Sequence, residues 1–220
     1  MKIELKKRIL TSFVLISILI FMYLYTYVMI ISLILISLIS WIEFYGIISK
    51  IYFKKKILDR ILRLLFKSLS LLYLSSIIFI ILLIETEAPY MKIYLVYSIL
   101  IAIASDVGGL VVGRFFKGKK LTKISPKKTI SGSIGSFVFS LFLIPFFSQI
   151  ITEKGLLILS MITVLISLTT QLGDLSISFL KRKANIKNTS DLLPGHGGFL
   201  DRIDGIIFAI PLGLLLFNIF

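Results

Sequence analysis

The sequence predicts an all-α fold, a polytopic bundle of about seven transmembrane helices, from three observations. Hydrophobic residues make up 57% of the 220 residues and charged residues only 16%, whereas a soluble domain has roughly 25% charged residues. The mean hydropathy is +1.01. Apolar runs that match the ~20 residues needed to cross the hydrocarbon core recur along the whole chain. The apolar surplus therefore has to face lipid.

Basic loops and short turns divide these runs into seven predicted spans. The run over 9–48 is long enough for two helices with a turn near 25–27. The other five predicted spans cover 69–85, 93–113, 134–151, 156–171 and 206–220. A count of six to nine fits the pattern, because 57–66 has the composition of an additional half-helix that re-enters the membrane.

The positive charge is distributed as expected for a membrane protein. A net charge of +14 in a soluble chain would suggest a nucleic-acid partner. With seven spans, however, every Lys and Arg except Lys92 and Lys154 falls on the same side as the N-terminus. Because cytoplasmic loops carry the excess of Lys and Arg, we expect a cytoplasmic N-terminus in a multi-pass protein of a bacterial-type cytoplasmic (inner) membrane. The bilayer is then the partner, and no nucleic acid is expected.

The scarcity of Cys and His narrows the possible chemistry. The chain has no Cys and a single His, His196. A disulfide framework, a thiolate metal site, a Cys nucleophile and a site with several His ligands are therefore excluded. Any metal has to be bound through oxygen, which favours a hard cation such as Mg²⁺.

Three acids lie in or beside predicted spans: Glu43, Asp106 and Asp174. A charge at the bilayer centre costs about 3 kcal/mol on the insertion scale, so such acids are functional candidates. Glu43 lies near the end of its helix, where an interfacial position explains it equally well. Asp106 opens a run that contains Gly108-Gly109, Gly113-Arg114 and then Ser125-Pro126-Lys127-Lys128-Thr129. The glycines allow a helix or a ligand to approach the backbone, and the basic loop is either a phosphate cradle or a topology signal.

The C-terminal segment carries the most specific pattern. It reads GDLSISFLKR over 173–182, Lys187-Asn188, and LPGHGGFLDRID over 193–204. We expect the glycine-rich loop to expose backbone amides and a helix to begin after it, and helix N-termini attract anions. Asp201 and Asp204 should share one face of that helix. Carboxylates that hold a divalent metal, basic side chains and such a loop suit phosphoryl or nucleotidyl transfer. For His196 we favour a structural role in the loop, with a general base as the alternative.

This segment resembles the signature of the phosphatidate cytidylyltransferase family. The family pattern runs Ser-x-x-Lys-Arg, a Lys-Asp pair, then Pro-Gly-His-Gly-Gly-x-x-Asp-Arg-x-Asp, and it matches from Ser178 to Asp204 with Gly-Asp-Leu at 173–175 upstream. The region 106–135 is similar to the family's second motif through Gly113-Arg114, Ser125-Pro126-Lys127-x-Thr129, Gly132 and Gly135. The resemblance covers about the second half of the chain, with Trp41 and Glu43 as a faint echo before it.

The resemblance implies an integral-membrane, all-helical enzyme that couples phosphatidic acid to CTP with Mg²⁺ assistance. The products would be CDP-diacylglycerol and pyrophosphate, and a second cation is an open alternative. It implies N-terminal transmembrane helices over 1–92 and a catalytic region over 93–220, within one continuous membrane domain, with the active site on the cytoplasmic side. A homodimer is also expected, since dimerisation is common among membrane enzymes.

Site residues follow from the same resemblance. Asp174 and Asp201 become the first candidates for metal ligands, with Asp204 in support. These three acids form the expected catalytic group together with Lys181 and Arg182. The expected substrate contacts are Asp106, Arg114, Ser125, Lys127, Lys128, Ser178, Lys187, Gly195, His196, Gly197, Gly198 and Arg202.

Two departures from the family pattern keep other functions open. The family has Asp where this chain has Asn188, and Glu where it has Ile177. The alternatives are a related cytidylyltransferase or kinase acting on another lipid phosphate or polyprenyl substrate, and an inactive homologue. Outside enzymes, a transporter that uses Asp106 and Asp174 is the competing class, although no internal repeat supports it.

Overall fold

A computed structural model describes residues 2–54, 56–122, 125, 127–151, 154–193 and 197–220, with side chains from residue 10 onward. Strand pairing in these residues is limited to two isolated bridges, Lys120 with Thr129 and Leu193 with Gly197. The prediction of an all-α fold is therefore confirmed. The helices are α1 (Lys2–Leu24), α2 (Thr26–Ile51), α3 (Ile57–Thr86), α4 (Lys92–Phe116), α5 (Ile130–Leu141), α6 (Ile144–Phe147), α7 (Leu156–Lys183), α8 (Leu200–Ile203) and α9 (Ile206–Ile219), with a 3-10 turn at Pro89–Met91.

The predicted number of membrane spans agrees with the helices. Among the described residues, six segments are long and apolar enough to cross a bilayer, and Leu10–Leu24 of α1 is a shorter apolar helix. The first predicted pair breaks at Tyr25, inside the expected turn. The segment 57–66 forms the beginning of α3 and is not a separate half-helix. With 30 residues, α3 is about 45 Å long, which exceeds the ~30 Å hydrocarbon core.

Helix α7 is longer than the sixth predicted span, which ended at residue 171. It continues to Lys183 and has Lys181, Arg182 and Lys183 in its last turn, where cations interact favourably with the helix dipole. Asn185 then adopts a left-handed backbone conformation with φ of 55°, and the Ile186 amide donates to the Lys181 carbonyl at 3.0 Å. This is the Schellman arrangement that ends many helices. The three predicted catalytic residues upstream of Asn185 therefore all lie on α7: Asp174, Lys181 and Arg182.

The chain packs as two compact units. One comprises Met1–Glu87 with Leu180–Ile203, and the other comprises Ala88–Phe179 with Asp204–Phe220. Residues of α7 contribute to both. The sequence analysis divided the chain by function, into N-terminal helices over 1–92 and a catalytic region over 93–220. That division stays a prediction.

Close helix contact in the second unit explains the glycines between Asp106 and Gly135. A Cβ added to Gly135 would overlap Val112, and a Cβ added to Gly108 would lie 2.5 Å from the Gly135 carbonyl oxygen. Small residues allow transmembrane helices to approach backbone to backbone. Ser136 strengthens the contact by donating to the Ser105 carbonyl at 2.7 Å. These glycines therefore serve the packing of α4 on α5.

In the first unit, Trp41 and Lys67 connect α2 to α3. The indole N–H of Trp41 donates to the Lys67 carbonyl at 3.1 Å. The Lys67 ammonium lies 5.1 Å from the centre of the Trp41 ring and 4.5 Å from that of Tyr45. Cation–π contacts of this kind stabilise a basic side chain against an aromatic surface. They fix the part of α2 that also carries Glu43.

Candidate active site

Glu43 is the centre of the hydrogen-bond network in the first unit. Its side chain is buried, with 7% exposed. The hydroxyls of Thr189 and Ser190 donate to it at 2.7 Å and 2.5 Å. The backbone amides of Phe199 and Leu200 donate to it at 3.0 Å and 2.8 Å. Glu43 is therefore bonded to the C-terminal signature segment, and whether it acts in the reaction stays a prediction.

The position of α8 explains why a carboxylate is needed here. Helix α8 begins at Leu200, and the first amides of any helix have no partner within the helix. From a different helix, Glu43 accepts the N–H of Leu200, the first residue of α8, and that of Phe199 just before it, in the way a capping side chain does. Its negative charge also suits the positive end of a helix.

Asp201 is the second carboxylate that organises this loop. Lys181 donates to its Oδ1 at 2.5 Å, and the two side chains are only 11% and 8% exposed. Its Oδ2 accepts from the amides of Thr189 at 2.9 Å and Gly198 at 3.1 Å, and from the Thr189 hydroxyl at 3.2 Å. Asp201 thus joins α7, the loop and α8.

These two acids bind amides that we expected to be open to an anion. The amides of Gly198, Phe199 and Leu200 all donate to protein carboxylates. In this conformation they hold the loop in place and do not face a phosphate. Pro194, Gly195 and His196 lie outside the described residues, so the predictions made for them stay predictions.

Two positions of the loop favour glycine, Gly197 because of its backbone conformation and Gly198 because of close contacts. Gly197 has a φ of 83°, a conformation that favours glycine. A Cβ added to Gly198 would overlap the Thr189 hydroxyl and lie 2.7 Å from Oε2 of Glu43. Glycine at 198 therefore allows the loop to lie against Glu43 and Thr189.

A second cluster, within the other unit, is centred on Asp174 of α7. Its carboxylate forms a short ion pair with Lys128, and the two side chains are 26% and 25% exposed. The Ser178 hydroxyl donates to Asp174 at 3.3 Å. A backbone hydrogen bond closes the basic loop between α4 and α5: the Leu121 amide donates to the Lys128 carbonyl at 2.8 Å. Next to it, Thr129 caps α5 by accepting from the Gly132 amide at 3.1 Å.

Asp204 does not share a helix face with Asp201, contrary to the prediction. Helix α8 ends at Ile203, and Asp204 occupies the turn before α9. Its Oδ1 accepts from the Gly205 amide at 2.9 Å. Short Asp side chains often compete for nearby backbone groups in this way and thereby end helices. Asp204 is buried, with 5% exposed.

The remaining predicted contacts are mostly exposed basic groups. Arg182 donates to the carbonyl of Ile186 at 3.5 Å. Ser125 is half-buried, and its carbonyl accepts from the Lys128 amide at 3.0 Å. The following predicted site residues have exposed side chains: Asp106, Arg114, Lys127, Lys187 and Arg202.

The described acids suit a magnesium ion that is shared with a ligand. Within the described ranges no three His, Asp or Glu side chains lie close enough to hold an ion by themselves. Mg²⁺, however, is usually held by one or two carboxylates together with substrate phosphates. Asp174 fits that role because it is partly exposed beside Lys128. Asp201 would first have to release donors from its Oδ1 or Oδ2.

Comparison with known proteins identifies the family. A model described as the cytidylyltransferase family matches residues 4–220. The chain belongs to the cytidylyltransferase family. Since the match covers nearly the whole sequence, the N-terminal helices belong to it as well as the C-terminal signature.

Curated proteins named phosphatidate cytidylyltransferase are similar to slightly more than half of the chain. A phosphatidate cytidylyltransferase of Staphylococcus haemolyticus is 39% identical over 122 residues, which cover 54% of this chain and 46% of that protein. One of Bacillus subtilis is 37% identical over 130 residues, covering 58% and 48%. One of Haemophilus influenzae is 39% identical over 136 residues, covering 57% and 46%. The chain thus matches about half the length of these relatives.

Sequence reasoning missed two residues of this candidate site. Thr189 and Ser190 each donate a hydroxyl to Glu43, but neither was a candidate. Two adjacent hydroxyl side chains directly after Lys187-Asn188 are a weak signal, because such pairs are common in loops. Only the partner on α2 gives them a role.

Proposed function

We propose that this chain is a phosphatidate cytidylyltransferase. It joins CTP to phosphatidic acid and releases CDP-diacylglycerol and pyrophosphate. The observation that carries the proposal is the C-terminal signature over 173–204, in a chain that matches the cytidylyltransferase family over 4–220. The names of the curated relatives agree with it.

The reaction needs positioning and charge neutralisation more than a protein nucleophile. An oxygen of the lipid phosphate forms a bond to the α-phosphorus of CTP. The bond from that phosphorus to the bridging oxygen of the β-phosphate breaks, and pyrophosphate leaves with the electron pair. Such transfers depend on orienting the reactants and on stabilising the phosphate oxygens electrostatically. A chain with no Cys is compatible with this chemistry.

Basic side chains of the two motifs would contact the phosphates. Lys128 lies beside Asp174, so a phosphate arriving there meets a cation that is already oriented. The exposed side chains of Lys127 and Arg182 can turn towards a ligand without losing a buried partner. Lys181 is committed to Asp201, and its proposed role is to hold that acid in place.

Asp174 would hold a Mg²⁺ ion together with the substrate phosphates. Bound there, the ion would neutralise negative charge on the phosphates as the leaving group departs. Ser178 keeps the Asp174 carboxylate oriented through its 3.3 Å hydrogen bond. Asp201 and Asp204 as further ligands, and a second cation, remain predictions.

We place the site at the cytoplasmic face of the membrane. Basic residues cluster in and around the loops after α2, α4 and α7, whereas Lys92 begins α4 and Lys154 lies in the turn after α6. Positive charge concentrates on the cytoplasmic side, where CTP is available, and the lipid would enter from the bilayer. A homodimer stays a prediction, to be tested by the mass of the detergent-solubilised protein.

The second candidate is a family member that uses another lipid phosphate or a polyprenyl phosphate. Asn188 favours it, because the family has a charged side chain at this exposed position. The other departure, Ile177, is only 3% exposed, so it contributes to packing.

Transfer of radiolabelled cytidylate from CTP into lipid tests the proposal. Purified protein is incubated with phosphatidic acid and Mg²⁺, with and without a chelator, and in parallel with a polyprenyl phosphate. Chelator-sensitive formation of CDP-diacylglycerol is the expected result. If product forms with the polyprenyl phosphate but not with phosphatidic acid, the second candidate is favoured. If the protein is folded and neither reaction gives product, the chain is an inactive homologue.

A further inference from the structure

We propose that Glu43 is a positioning residue that holds the two ends of the glycine-rich loop together. The turnover part of this proposal rests on the proposed function, whereas the structural part does not. Glu43 lies on α2, far from the C-terminal signature in sequence; its contact with Leu200 spans 157 positions.

Each of the two carboxylate oxygens of Glu43 accepts one hydrogen bond from a hydroxyl and one from a backbone amide. Oε1 accepts from the Ser190 hydroxyl at 2.5 Å and the Phe199 amide at 3.0 Å. Oε2 accepts from the Thr189 hydroxyl at 2.7 Å and the Leu200 amide at 2.8 Å. Each oxygen thus joins one group that precedes the glycine-rich sequence to one that follows it.

An ionised carboxylate is suited to this task because it accepts hydrogen bonds at both oxygens and donates none. The amide of a glutamine has one accepting oxygen and one NH₂ group. In Glu43→Gln, the NH₂ group therefore faces one hydroxyl, which can rotate and accept, and one backbone amide, which is left facing another donor. The site is buried, with 7% of Glu43 exposed, so water cannot readily substitute.

The loop has little freedom to find another arrangement. Gly198 lies against both Thr189 and Glu43, with space for a Cβ on neither side. The hydroxyl of Thr189 has a single proton, and Oε2 of Glu43 at 2.7 Å is a nearer acceptor than Oδ2 of Asp201 at 3.2 Å. Loss of Glu43 therefore leaves this hydroxyl with the more distant acceptor.

Amide hydrogen exchange of the full chain in detergent measures the loop directly. In Glu43→Gln, we expect the amides of Phe199 and Leu200 to exchange at least about tenfold faster, because both lose a charged acceptor. The matched control is Glu85→Gln, which removes another carboxylate that accepts a hydroxyl, from Thr26 at 2.7 Å. Unchanged exchange over 188–200 in Glu43→Gln would overturn the proposal.

Kinetics distinguish positioning from general stability. For Glu43→Gln we expect kcat to fall by about 100-fold, as small misplacements of reacting groups do, with a much smaller change in KM for CTP. Glu43→Asp keeps both oxygens and should recover part of the loss. If amide exchange is faster in Glu43→Gln but the unsubstituted protein never turns over CTP, the loop contact is supported and the proposed function is rejected.

A variant with a smaller perturbation keeps the test decisive if Glu43→Gln does not fold. Ser190→Ala removes one donor and leaves the carboxylate with three. We expect faster exchange confined to the loop and a partial loss of kcat, and Ser190→Ala should add little in a Glu43→Asp background. Wild-type exchange and kcat in Ser190→Ala would contradict the proposal.

Discussion

The ammonium group of Lys181 lies 2.5 Å from Oδ1 of Asp201, and the two side chains are 11% and 8% exposed. Lys181 belongs to the last turn of α7 and Asp201 to α8. A buried charge that loses its partner is expensive, because water no longer solvates it. This pair therefore fixes the end of α7 to α8.

Lys181→Met should destabilise the protein strongly. It leaves the Asp201 carboxylate buried without its counter-charge, and we expect a loss of about 3–5 kcal/mol. Thermal unfolding of the detergent-solubilised protein measures it. Lys183→Met, at an exposed position in the same turn, should change stability by no more than about 0.5 kcal/mol. Equal unfolding midpoints for the two variants would contradict the assignment.

Asp174→Asn should abolish cytidylyl transfer and leave the fold intact. The Asp174 side chain is 26% exposed, so the neutral amide is solvated, but it is a poorer ligand for a hard cation. Turnover and thermal unfolding are measured together. Asp191→Asn, an exposed acid in the loop after α7, is the control that should remain active. Full activity in Asp174→Asn would remove Asp174 from the metal site.

Gly198→Ala should disturb the loop without displacing the helices. Its Cβ would overlap the Thr189 hydroxyl and approach Oε2 of Glu43 at 2.7 Å. We expect a loss of activity and about 1–3 kcal/mol of destabilisation, the usual cost of overpacking. Gly155→Ala meets no atom within 4 Å and should behave as the wild type. Activity assays and unfolding midpoints of both variants decide the matter.

Gly135→Ala should loosen the contact between α4 and α5. The added methyl group would overlap Val112 and lie 2.8 Å from the Gly108 carbonyl oxygen. Because both neighbours are parts of a packed helix pair, the helices have to separate, at a cost of about 1–3 kcal/mol. Gly46→Ala on α2 has open space and should be neutral or slightly stabilising. A Gly135→Ala variant as stable as Gly46→Ala would be the contrary outcome.

Asn188→Asp should be tolerated, since it restores the acid found in the family. Asn188 is exposed, so the added charge remains in contact with water. Its Cγ lies 3.2 Å from where a Cβ on Gly197 would be. The new carboxylate would therefore lie beside the loop and remain exposed. Retained cytidylyl transfer is the expected measurement, and an inactive product would indicate that this position has been remodelled.

The membrane fold could be predicted well because lipid imposes a simple rule on composition. Apolar length located the helices, and the break at Tyr25 fell where two spans had to be separated. The end of α7 was missed because hydropathy falls after Gln171 while the backbone remains helical to Lys183. A helix that leaves the bilayer can continue in water when its last turn is capped, and hydropathy does not report caps.

The motif indicated several residues of the candidate site, but it indicated neither Thr189 and Ser190 nor the contacts between the residues. The motif indicated Asp174 and Asp201, whereas their partners Lys128, Lys181 and Thr189 are set by tertiary contacts. Glu43 remained ambiguous because a single acid near a helix end fits several explanations. Long-range hydrogen bonds leave no period or spacing in a sequence.

The hydrogen bond between Glu43 and the Phe199 amide joins residues 156 positions apart, which has a consequence for biosynthesis. At 5–20 residues per second, the ribosome needs roughly 8–30 s to deliver Phe199 after Glu43. During this interval α2 resides in the bilayer with a carboxylate whose final partners do not yet exist. Insertion of the early helices must therefore tolerate an unsatisfied acid, and an expression system that delays the later spans should increase degradation of the nascent chain. Shortening that delay is a practical route to higher yields of the protein.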